Sequence, residues 1–72
     1  MYVIARTTKL KKMGEIYKEE VVETQYKMVT KVETTSKLVL ITYKESKGRS
    51  GELVETTDAI GTREIVGISI YD

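Results

Sequence analysis

The sequence predicts an all-β domain, a small barrel or sandwich of five to six antiparallel strands of SH3-like or OB-like type. Three observations carry this. The longest apolar run, Leu38 to Ile41 within the stretch 37–44, is built mostly of residues that favour a pleated, packed surface. Apolar and polar residues alternate on both sides of it, which is the period of a half-buried strand. Polar, glycine-bearing stretches recur at intervals of roughly ten residues, as turns do in small all-β folds.

Composition bounds the rest. At 72 residues the chain forms one domain, and at this size only about 60% of the unfolded surface is buried, so the core is small. There is no cysteine to staple it, which predicts a cytoplasmic protein rather than a secreted one. Asn, Pro, His, Trp and Phe are absent and Gln occurs once, beside abundant Lys and Glu. That balance predicts a thermophilic source, or a virus or plasmid of one. A net charge of +1 argues against coating nucleic acid through the overall field, though a local basic patch remains open. No apolar run approaches the roughly 18 to 20 residues of a membrane span, and the N-terminus lacks the order of a signal peptide. We expect residues 1–72 to be a single compact unit with no linker or repeat.

Taken in order, Tyr2 to Leu10 alternate as a first strand, with Val3, Ala5 and Thr7 on one face and Tyr2, Ile4, Arg6, Thr8 and Leu10 on the other. Lys11 to Gly14 supplies a turn, with glycine free to take positive φ. From Glu15 to Thr34 the second half reads as strand, bent or broken near Gln25, while residues 15–24 fit either a strand or a short helix. Thr34 to Ser36 turns the chain into the central strand. Its four consecutive aliphatics predict protein on both of its faces. Ser46 to Gly51 is the strongest turn signal, and Glu52 to Thr57 returns as a short strand with Leu53 or Val54 inward. Asp58 to Gly61 reads as a further turn. Arg63 to Tyr71 closes the chain with Val66, Ile68 and Ile70 on one face, and Gly67 predicts a bulge or a close backbone approach.

Chemistry is sparsely supplied. Without His or Cys there is no His-dependent triad, thiol nucleophile or His/Cys zinc site. Glu52, Glu55 and Asp58 match no calcium loop, and solvated turn charge accounts for them. We assign no catalytic, cofactor or metal residue and expect no enzyme. Lys9, Lys11 and Lys12 form the densest basic run, placed to neutralise phosphates or to guard a strand edge. Gly48-Arg49-Ser50-Gly51, with Lys47 and Arg49, is a glycine-flanked loop able to present amides and charge to a phosphate, or simply to turn a hairpin. Among the five tyrosines, Tyr26 is assigned to the core, whereas Tyr17 and Tyr43 are candidates for stacking or protein contact and Tyr71 stays open.

Within residues 31–59 of this chain, the aliphatic run ending Thr42-Tyr43, followed by Glu45, the Gly48–Gly51 loop and Asp58-Ala59, resembles the small SH3-like chromatin proteins of crenarchaea. The resemblance implies a small barrel that binds duplex DNA in the minor groove. Glu33 stands where that family carries an exposed tryptophan, and Leu40 where it carries a small polar residue that reads the groove. The functional expectation is therefore a non-enzymatic binding module acting through protein contact or self-association, as a homodimer through an edge strand if the sheet does not close. The alternative is a nucleic-acid-binding module using the 46–51 loop and nearby lysines. Binding to a membrane is not expected.

Overall fold

The computed structural model describes residues 1–72 and is all-β apart from one turn of 3-10 helix. Six strands follow in order: β1 (Tyr2–Met13), β2 (Ile16–Tyr26), β3 (Val29–Thr34), β4 (Leu38–Lys47), β5 (Glu52–Gly61) and β6 (Ile65–Tyr71), with the 3-10 turn at Thr62–Glu64. They form two three-stranded antiparallel sheets, ordered β2-β1-β6 and β3-β4-β5, which do not join into a closed barrel. The chain crosses between sheets twice, at Lys27–Met28 and through Thr62–Glu64.

Alternation decides which faces meet. Val3, Ala5 and Thr7 of β1 are buried, opposed across one sheet by Tyr26 and by Ile70, Ile68 and Ile65. Val39 and Ile41 of β4 face them from the other sheet and, with Val3, Ala5, Tyr26 and Val29, complete a core of six side chains. Only 8 of 72 residues are buried, a thin interior even for this length. The stretch 38–41 lies in the middle strand of its sheet, as expected, but only one face is covered: Leu38 is 40% exposed and Leu40 half-buried. An antiparallel sheet tolerates a wet face, and no third layer exists here to cover it.

Within the segment 15–24, Glu15 belongs to the hairpin turn and residues 16–24 are strand, not helix, because the eleven successive pairs from Val3↔Tyr26 to Met13↔Ile16 lock β2 to β1. The break in the following stretch falls at Lys27–Met28, where Met28 takes φ 57°. Its carbonyl accepts a bond from Lys44 N (3.1 Å), while Val29 N donates to Met1 O (3.0 Å), so the corner is tied to both sheets. The expected turn at Asp58–Gly61 is instead the end of β5, paired up to Leu38↔Gly61. The chain turns one step later, where Thr62 N and Thr62 Oγ1 both donate to Lys37 O. In β6 the ladder slips between Gly67 and Ile65, and Val66 is the extra residue. The bulge moves Val66 out to 58% exposure and brings Ile65 inward, so Ile65 and Ile68 pack on the core in place of the predicted Val66, Ile68 and Ile70, while Ile70 stays 53% exposed.

Candidate contact surfaces

Three features stand out from this frame. The first is an inter-sheet polar cluster. Asp58 lies opposite Ile41 and so points inward from β5. The Tyr26 hydroxyl reaches across from β2 and donates to Asp58 Oδ2 (3.0 Å), while the Tyr43 hydroxyl donates more weakly to Oδ1 (3.4 Å). The two rings pack at 5.1 Å between centroids. Burial, then the bond to Asp58 and its charge, pushes the Tyr26 phenol up to about 12. Burial also raises Tyr43, with the Asp58 and Glu45 charges acting in the same direction. Asp58 is thus a half-buried acceptor holding the two sheets together, not a solvated turn charge. Neutral phenols donating to one carboxylate make a structural clamp, and no group of three acidic side chains comes together to hold a metal ion.

The second feature is an arm. β6 covers β1 only from Tyr2 to Thr7, so beyond Thr8 the β1–β2 hairpin continues as a two-stranded ribbon. About six residues of strand reach roughly 20 Å, in keeping with a molecule measuring 45 × 31 × 19 Å. Gly14 turns its tip at φ +68°. The structure brings Lys9, Lys11, Lys12 and Tyr17 onto this arm together with Lys18, which the sequence reading passed over. Lys11 stands directly opposite Lys18, and none of the four lysines forms an ion pair. One face carries Lys9, Glu20, Lys11 and Lys18, with Met13 and Ile16 at the tip; the other carries Lys12 and Glu19 among Leu10, Tyr17 and Val21, the last three all more than half exposed. Lys47 and Arg49 sit apart, at the β4–β5 hairpin, where Lys47 pairs with Glu45 (3.6 Å). Tyr43, offered for stacking, is instead turned inward to Asp58.

The third feature is an edge. Four strands end the two sheets, and three of them carry charge: Lys18, Glu19, Glu20 and Glu23 on β2, Lys31 and Glu33 on β3, Glu52, Glu55 and Asp58 on β5. β6 (IVGISIY) carries none. Its outer row of backbone groups is unpaired, and Val66, Ile70 and Tyr71 are each more than half exposed. Charge is the usual guard of an edge, and here it is missing. A shallow polar cleft of about 610 Å³ near the last corner, lined by Ser36, Lys37 and Gly61 to Glu64, carries cationic and anionic groups side by side and selects neither sign of ligand.

No helix is long and apolar enough to cross a membrane. No family model, curated protein or solved structure matches the chain.

Proposed function

We propose that the protein is a non-enzymatic binding module, a small barrel or sandwich of SH3-like or OB-like type, that works by protein contact, adding a strand to its β6 edge and associating with itself in this way. The uncharged, unpaired edge of β6 carries the reading, because backbone groups left at an unguarded apolar edge are satisfied by another strand. The surface supports it. A compact monomer of 8.2 kDa exposes about 4,500 Å², whereas this chain exposes 5676 Å². Its radius of gyration is 14.5 Å, against about 11 Å for a compact domain of this length. Surface of this extent fits a subunit more than a self-contained monomer. Sedimentation velocity over a concentration series tests the proposal: mass rising with concentration is expected, and a monomer at every concentration that also captures no strand-forming peptide overturns it.

One observation favours a second reading. Four unpaired lysines on a two-stranded ribbon, a shape the major groove admits, fit binding to duplex DNA. The three glutamates Glu15, Glu19 and Glu20 on the same arm weigh against it. Mobility shift with a random duplex at two salt concentrations decides: binding lost steeply with salt supports this reading, and no shift at low salt ends it.

A further inference from the structure

Resting on the edge-contact reading above, we infer that the strand added to β6 is β6 of a second copy, antiparallel and in one register, with Ser69 facing Ser69 across a two-fold axis. The bulge sets this register. From Gly67 to Tyr71 the strand runs in unbroken register with β1, Arg6↔Gly67 to Tyr2↔Tyr71, and the ladder slips only beyond Gly67. A bulge bends the backbone and ends regular pairing, so the straight, template-ready segment is five residues long. A two-fold axis perpendicular to an antiparallel pair sets one residue opposite its own copy. Two such segments overlap completely only when that residue is the middle one, Ser69.

The side chains agree with this register. Ile68 of each copy then faces Ile70 of the other on the core side, covering the half-exposed Ile70 and extending the row that stands opposite Val3 and Ala5 in the β1 ladder. On the opposite face Tyr71 of one copy lies over Gly67 of the other. A side chain at Gly67 would meet nothing within 4 Å, so this is open ground for an aromatic ring. Tyr71 is half exposed and already stands beside Tyr2, with ring centroids 5.9 Å apart, which prepares a small aromatic surface at the joint. Asp72 falls opposite the bulged Val66, outside the ladder. Sliding the copies by two residues either way drives the pairing into the bulge or leaves one end of the segment unpaired. A joint of ten residues is small, below the roughly 1,200 Å² of stable complexes, so association is weak and concentration-dependent.

Because the chain has no cysteine, single cysteines report the register directly. Residues facing each other across a two-fold lie about 4.5 to 5.5 Å apart at Cα, within disulfide range. Ser69→Cys, oxidised with a glutathione redox pair, is expected to give a covalent dimer. Ile68→Cys and Ile70→Cys, each self-facing only in a register shifted by two, should cross-link at least about tenfold more slowly, since their sulfurs are out of bonding reach. Ser69→Lys, which sets like charges face to face on a half-exposed position, should keep a folded circular dichroism spectrum and lose concentration-dependent mass. Faster cross-linking at 68 or 70, or equal rates at all three, overturns the inference while leaving edge contact standing. A wild-type protein that stays monomeric and a Ser69→Cys variant that does not cross-link overturn both.

Discussion

Tyr26→Phe removes one oxygen from the inter-sheet clamp and leaves its ring in place. The hydroxyl donates to a carboxylate at 3.0 Å from a residue only 7% exposed. Bonds to charged groups contribute about 1.5 to 3 kcal/mol. Asp58 is only half-buried and keeps the weaker bond from Tyr43, so we expect a loss at or just below the foot of that range, about 1 to 1.5 kcal/mol. Urea unfolding followed by tyrosine fluorescence reads this as a fall in midpoint of about 1 M at unchanged slope, given a slope near 1 kcal/mol/M for so small a chain. Alkaline pH supplies an independent check. The Tyr26 phenol rises from 10.0 to about 12 on folding, so the folded state holds its proton after the unfolded state has released it. Its contribution is intact below pH 10 and is lost as pH climbs from 10 towards 12. At 1.36 kcal/mol per unit the ceiling is about 2.7 kcal/mol, which solvent around Asp58 reduces to about 1.5. The stability gap between wild type and Tyr26→Phe should therefore shrink over that interval. A variant as stable as wild type at pH 7, or a gap that stays constant from pH 9 to 12, would refute the clamp.

The other predictions concern the core, the corner and the arm. Ile41→Ala, at a site with no exposure, should cost about 3 kcal/mol and leave a large unfolded fraction by circular dichroism at 25 °C; a loss below about 1 kcal/mol would mean that the core is not where the strands place it. Met28→Gly should raise stability by up to about 1 kcal/mol, because left-handed backbone costs a side-chain-bearing residue more than glycine's extra freedom costs the fold; an unchanged or lowered melting temperature would count against the corner geometry. Gly14→Ala should lower the melting temperature modestly by straining the arm's turn at φ +68°. Ile16→Ser, at a residue 72% exposed, should change stability by less than about 0.5 kcal/mol, and a larger loss would show the arm folded back on the body.

Alternation made β1 and the middle position of β4 legible, since Val3, Ala5 and Thr7 share the period that buries them. Tyr26 could be assigned to the core because a chain without Phe or Trp must fill its interior with tyrosine. What escaped was set by tertiary pairing. Ile16 to Val22 fits both periods, and only the eleven-pair ladder of β2 with β1 decides for strand. Asp58 and Gly61 look like turn residues in isolation, but Asp58 has two hydroxyl donors to meet, so β5 runs on through it. The inversion at Val66 could not be read, because a bulge is a local slip in pairing and leaves alternation intact on either side; Gly67 marked only its neighbourhood. The lysines at 9, 11 and 12 were visible as a run, yet Lys18 joins them only through cross-strand register.

The pairing of Tyr2 with Tyr71 bears on how fast the molecule can form. The β1–β2 hairpin closes from neighbouring sequence, yet the inner face of β1 lacks Ile65, Ile68 and Ile70 until nearly the whole chain has been drawn into a loop. The entropy of closing that loop is spent before the contacts that offset it exist. Folding should therefore take milliseconds to seconds, as for other domains dominated by distant pairings, with β6 arriving last. Until it docks, β1 is itself an open edge, and a β6 strand from any nearby copy fits it as well as the chain's own. Concentrated refolding should accordingly yield strand-exchanged oligomers that dilute refolding avoids.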